Sequence, residues 1–99
     1  MKKIILAAFI FALTMTTNTF ADIKMGIILG FTGPIESLTP AMAGSAELAF
    51  QEASDSGSLL GGQKISVSRA DSTCVDSAAA TAAAEGLVSD GVVAIMGAD

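Results

Sequence analysis

Three short runs, at 23–29 (IKMGIIL), 64–70 (KISVSRA) and 92–96 (VVAIM), are each separated by enough chain to hold a helix. This spacing constrains the fold more than any other feature of the sequence. Strands joined by a crossover of a dozen or more residues run parallel, whereas an antiparallel pair needs only a tight turn. The first and third runs are continuous and apolar, as strands covered on both faces are, so the third is expected to be central or doubly covered. The second alternates, Ile65 and Val67 on one side and Ser66 and Ser68 on the other, which predicts a half-exposed strand at a sheet edge. Gly26, inside the first run, marks a close backbone approach.

The intervening stretches carry helix signals. Thr39 can accept an orphan amide as N-cap, and Pro40 suits the first helical position. Met42, Ala46, Ala49, Phe50 and Ala53 follow as one apolar stripe that predicts the buried face of a first helix, with Gly57 ending it. A glycine turn, 59–63 (LLGGQ), leads into the second run. Asp71 to Val75 read as a polar loop, after which Asp76 or Ser77 caps a second helix. Its first part, 78–85, is almost all alanine, and Asp90-Gly91 stops it. The whole reads as an α/β chain, a βαβαβ half of a doubly wound parallel sheet ordered 2-1-3. Ligands of such sheets sit beyond the carboxyl ends of the strands, at the switch point between strands 1 and 3.

Ahead of this unit, Lys2 and Lys3 precede an apolar run at 4–13, and Thr19-Phe20-Ala21 places small residues before Asp22. A charged start, a short apolar middle and a small-x-small end predict a cleavable secretory signal over 1–21, cut between Ala21 and Asp22. The apolar run rises only about 15 Å, roughly half of a bilayer core of about 30 Å. The expected mature chain is exported and soluble. Without residues 1–21 it carries three basic side chains, Lys24, Lys64 and Arg69, against ten acidic ones, a balance that disfavours nucleic acid as a partner. Large core groups are few: there is no Trp or Tyr, and only Phe31 and Phe50 lie clear of the leader. Residues 22–99 therefore do not read as a body adequate on its own.

Catalytic chemistry finds little support. The chain has no His, so His-based triads and His-ligated metals are excluded from it. A dinucleotide fingerprint needs three glycines running into a helix; Gly30-Phe31-Thr32-Gly33-Pro34 has two, and Pro34 removes an amide. Asp71, Cys74 and Asp76 are conceivable metal ligands, but a loop with a helix cap accounts for them. No cofactor or metal is expected. Cys74 is the single cysteine and reads either as a small buried thiol or as one half of a disulfide with a partner beyond Asp99. What remains is a binding surface. Thr32, Gly33, Pro34, Glu36 and Ser37 form a loop of hydroxyls and amides, and the first helix aims its positive end at the same crevice. Ordinary turn chemistry explains Thr32 and Ser37 equally well.

Several segments in order resemble the branched-chain amino acid (Leu/Ile/Val) binding family of ABC importers, which has the type I periplasmic-binding-protein fold. They are the first strand, Thr32-Gly33-Pro34, Gly44-Ser45-Ala46-Glu47-Leu48-Ala49, Gly61-Gly62-Gln63-Lys64, Asp71-Ser72-Thr73-Cys74 and Ser89-Asp90-Gly91-Val92. The resemblance spans 23–99. It implies the N-terminal part of a non-catalytic, two-lobed periplasmic receptor that closes on an amino acid or similar solute and docks on permease subunits in the inner membrane. Thr32, Gly33 and Pro34 match the family's first cleft loop. Cys74 matches a loop cysteine that pairs, in similar proteins, with one just past the position of Asp99. The aromatic that often follows Thr-Gly-Pro in the family is missing, and Val75 separates Cys74 from Asp76, so the ligand stays open among amino acids, amides, polyamines and aromatic acids. A sensor lobe is the alternative from another functional class, and an α/β enzyme fragment a weaker one.

Overall fold

A computed structural model of the chain describes residues 22–98. The expected leader, with Ala21, lies outside the described residues, as does Asp99; Asp22 is exposed just before the first strand. The elements are β1 (Ile23–Leu29), α1 (Thr39–Asp55), a 3-10 turn (Leu59–Gly61), β2 (Ile65–Asp71), α2 (Ser77–Ser89) and β3 (Ala94–Met96). All three strands are parallel in the order β2-β1-β3. This is the expected α/β half-sheet.

The central place of β1 explains its composition. It pairs along its whole length with β2, from Ile23 opposite Ile65 to Leu29 opposite Asp71. On its other side Met25 to Ile27 face Ala94 to Met96. Ile27, Ile28 and Leu29 are buried. Successive strand residues point to opposite faces. On one face Ile27 and Leu29 pack with Ala43, Ala46 and Phe50 of α1, together with Val67 and Met96. On the other face Gly26 lies under α2, where an added Cβ would stand 3.0 Å from Leu87 Cδ1. The two helices thus cover opposite faces.

Three expectations need correction. First, Thr39 does not cap α1. Leu38 holds the N-cap position without a side-chain bond. Thr39 is already helical and fully buried, its hydroxyl donating to the Gly30 carbonyl at 3.0 Å, and Pro40 sits second in the helix. Second, the buried face of α1 lies one position round from the apolar stripe. It runs through Thr39, Ala43 and Ser54, with Ala46, Phe50 and Ala53 of the expected stripe half-buried beside them, while Met42 is 46% exposed and Ala49 faces solvent. Burial of Thr39 and Ser54 is tolerable because their hydroxyls are bonded. Ser54 donates to the Phe50 carbonyl at 2.8 Å and accepts from the Ile65 amide at 2.9 Å. Third, β3 begins at Ala94 rather than Val92 and is an outer strand of the three described, with Met96 on the α1-side core and Ile95 on the side of Leu87. Val93 is 71% exposed, although its amide still donates to the Lys24 carbonyl at 2.8 Å.

The remaining local signals behave as their chemistry requires. Gly57 and Gly91 follow α1 and α2 with φ of +68° and +86°, the left-handed region that suits glycine after a helix. Asp76 caps α2, its carboxylate accepting from the amides of Ala78 and Ala79 at 2.9 and 3.1 Å. The last carbonyls of both helices find cations. Lys64 Nζ donates to the Ser54 carbonyl and Lys24 Nζ to the Asp90 carbonyl, each at 3.0 Å. Among the described residues no helix is long and apolar enough to cross a membrane.

Candidate functional site

Parallel strands deliver all their carboxyl ends to one edge. Here Leu29, Asp71 and Met96 open three neighbouring segments, 30–38, 72–76 and 97–98. The five loop residues singled out in the sequence, Thr32, Gly33, Pro34, Glu36 and Ser37, all lie on the first segment and are exposed. It is a compact turn: the Glu36 amide donates to the Gly33 carbonyl at 3.3 Å, and the Leu38 amide to the Ile35 carbonyl at 2.9 Å.

The first segment is fastened to the end of β2. The Thr32 hydroxyl donates to Asp71 Oδ2 at 2.6 Å and the Thr32 amide to Oδ1 at 3.2 Å. Oδ1 also accepts the Thr73 amide at 2.9 Å. Donation from the Thr32 hydroxyl, and after it from the Thr73 amide, holds the Asp71 carboxyl below the usual carboxylate range. Gly33 has φ of +100°, and a Cβ there would meet the Thr73 carbonyl oxygen at 2.5 Å, so only glycine fits between the two loops. Two residues before Asp71 on the same face of β2, Arg69 forms a fork with Glu47 at 2.6 and 2.8 Å. Its guanidinium also lies over the Phe31 ring, 5.4 Å from the centroid. The fork keeps the Glu47 carboxyl below its ordinary value and raises Arg69 further above its own.

The second segment is strained where the first is tied to it. Thr73 and Cys74 have φ of +60° and +64°, a region costing non-glycine residues on the order of 1 kcal/mol or more each. The Thr73 hydroxyl oxygen is buried without a hydrogen-bond partner. Beyond them a cavity of about 300 Å³ opens between this segment, the start of α2 and the chain leaving β3. Its walls are Ser72, Cys74, Val75, Asp76, Ser77, Ala80 and Ala98. Val75, Ala80 and Ala98 are the aliphatic members of this lining, and Ser72, Ser77, Asp76 and the half-buried Cys74 its polar ones. A second hollow, near 570 Å³, runs along Thr81, Ala84, Glu85, Val88 and Ser89 on α2, away from the carboxyl edge.

The structure therefore ties Thr32 and Gly33 to the segment after β2, and none of the residues from Thr32 to Ser37 lines the cavity. The wall is the segment that follows β2. Of the three side chains weighed as metal ligands, Asp71 is engaged with Thr32 and Thr73, and Asp76 caps α2. Among the described residues no group of three His, Cys, Asp or Glu is arranged to hold a metal ion. Sequence reasoning missed Asp71 as an organiser because it assigned that residue to the loop. Carrying the alternation of Val67 and Arg69 one step further would have set Asp71 on the same side of β2, facing the Thr32 turn.

Comparison with known families gives a model described as periplasmic binding protein, which matches residues 22–99. No curated protein matches the chain.

Proposed function

We propose, from the premise that this chain belongs to the periplasmic binding protein family, that it captures an amino acid or a similar small polar solute for an ABC importer. Solute binding and a periplasmic location are the family's general properties. The choice of solute class and of permease subunits as partners is our own reading. It rests chiefly on one observation: the cavity at the carboxyl edge, where parallel α/β sheets hold ligands, is lined by polar residues (Ser72, Ser77, Asp76) together with aliphatic ones (Val75, Ala80, Ala98). Such a wall suits a solute with a polar head and a short side chain. The chemistry is recognition rather than turnover.

In this reading residues 1–21 are a secretory signal removed between Ala21 and Asp22, and 22–99 are part of an N-terminal lobe. Thr32, Gly33, Pro34, Glu36 and Ser37 border the cleft that a second lobe closes. Cys74 pairs with a cysteine beyond Asp99. The half-burial of Cys74 beside a cavity that Ala98 also lines supports that pairing, since both approach the same space.

Thermal unfolding of the intact protein, purified from the periplasm, tests the proposal against L-leucine, L-asparagine, L-phenylalanine and putrescine, each added separately. A bound solute at a hundred times its Kd stabilises the folded state by about 2.7 kcal/mol, which raises the midpoint by several degrees. One class should do so and the others should not. A midpoint unmoved by all four at millimolar concentration overturns the proposal.

A further inference from the structure

One carboxylate joins the two loops of the carboxyl edge. Asp71 accepts both the hydroxyl and the amide of Thr32 from the β1–α1 segment, and the amide of Thr73 from the segment after β2. The second segment is the one that walls the cavity, through Ser72, Cys74 and Val75. Its conformation is one that Thr73 and Cys74 would not adopt unaided, since both are left-handed. Strained backbone of this kind persists only where its surroundings impose it. The Asp71 carboxylate is a rigidly placed acceptor for the Thr73 amide at the start of that strained pair, and its second oxygen is committed to Thr32. Gly33 completes the junction by packing directly against the Thr73 carbonyl.

We infer that Asp71 is a positioning residue for solute capture: it does not touch the solute but sets the Thr32 turn and the cavity wall in one fixed relation. The inference rests on the solute-capture reading for its purpose and on the hydrogen bonds alone for its mechanism. A loop pair held in advance loses less freedom when a ligand arrives, so affinity gains from the tie without any contact with the ligand.

Hydrogen exchange of backbone amides in the intact, solute-free protein tests the mechanism. Asp71→Asn should speed exchange at both Thr32 and Thr73, while Ile27 and Leu29 in β1 keep their wild-type rates. Thr32→Val removes one hydroxyl and leaves the Thr73 bond standing, so it should loosen 31–34 and spare Thr73. Unchanged exchange at either loop in Asp71→Asn overturns the inference, as does equal loosening of both loops by Thr32→Val. Should Asp71→Asn fail to fold, Thr32→Val still decides. In the same preparation, whichever of the four solutes binds the wild type should bind Asp71→Asn roughly tenfold more weakly; equal affinity also overturns the inference. If none binds the wild type, the solute-capture reading fails, and exchange alone decides whether Asp71 ties the loops.

Discussion

The two helices cover opposite faces of the same sheet with different materials. α1 spreads its burial along its length: Thr39 and Ser54 near the ends, Ala43 fully buried near the start, and Ala46 and Phe50 packed on the core in the middle. α2 is rich in alanine, and its one buried residue is Leu87, 3% exposed. An alanine helix can lie close to a sheet, but it brings little apolar surface with it. Gly26 makes up part of the difference by leaving room for the Leu87 side chain directly over β1. Full burial is spread over several residues of α1, whereas on α2 it centres on Leu87, seated over a glycine, with half-buried alanines around it.

The largest effect should come from removing that residue. Leu87→Ala is expected to cost about 3 kcal/mol, the usual range for emptying a buried leucine site. Phe50→Ala, at a half-buried position with neighbours that share the load, should cost less, about 2 kcal/mol. Urea unfolding of the two variants measures both, and a Phe50→Ala loss equal to that of Leu87→Ala would remove the contrast between the faces.

Gly26→Val probes the same seat from the strand side. Its branches would drive into Leu87 and into Ile95, whose Cγ1 stands 3.3 Å from an added Cβ, and should cost about 2 kcal/mol by overpacking. Combined with Leu87→Ala the loss should be clearly less than the sum of the two single losses, since the clash disappears with the leucine. Strict additivity in the double-mutant cycle would show that Gly26 and Leu87 do not form one unit.

Next in size is the start of α2. Asp76→Ala leaves the Ala78 and Ala79 amides without their acceptor and should cost about 1 kcal/mol. Leu38→Ala at the N-cap of α1, which makes no side-chain bond, should change stability by much less. Comparable losses at the two positions would contradict the assignment of caps.

The smallest effect belongs to the exposed charges on the α1 side. The pKa of Asp71 is lowered in the folded state, so its contribution is fully present above the ordinary carboxylate pKa of about 3.9. It is lost as pH falls through the depressed folded value. Glu47 titrates in the same direction through its fork with Arg69. Melting midpoints followed from pH 6 down to pH 3 should fall less steeply in Asp71→Asn than in the wild type, and less steeply again when Glu47→Gln is added. Exposed pairs contribute little to stability, so the change in slope should be slight. A slope steeper than that of the wild type would have the wrong sign.

What could be read from the sequence was what is local or set by chain length. Parallel order followed from crossovers too long for hairpins, and β1 was delimited by the glycines and proline after it. Asp76, Gly57 and Gly91 carry their reasons within one turn of helix. The face of α1 was not legible in the same way. Thr39 and Ser54 count as polar in any hydropathy pattern, and only the Gly30, Phe50 and Ile65 backbone groups that meet their hydroxyls make their burial possible. Nor could apolarity locate β3: Val92 and Val93 are as strand-like as Ile95, yet only Ala94 to Met96 pair in register with β1, Val93 adding a single amide bond to Lys24. At the carboxyl edge the Thr32 turn was legible as a loop. For its partner, Asp71, the alternation along β2 gives only the side of the strand, because a bond across 39 residues is not written in local spacing.

The placement of the lysines bears on how the opposite rim would discriminate among solutes. Lys24 and Lys64 spend their ammonium groups on the tails of the two helices, at the end of the sheet away from the cavity, and Arg69 is neutralised by Glu47. A carboxylate-bearing guest approaching Ser72 and Ser77 would therefore be met by dipoles and fit, with no unspent cation among the described residues to draw it in. The Asp76 carboxylate in the same wall would repel such a guest, and since salt screens repulsion between net charges, retention there should strengthen slightly as ionic strength rises.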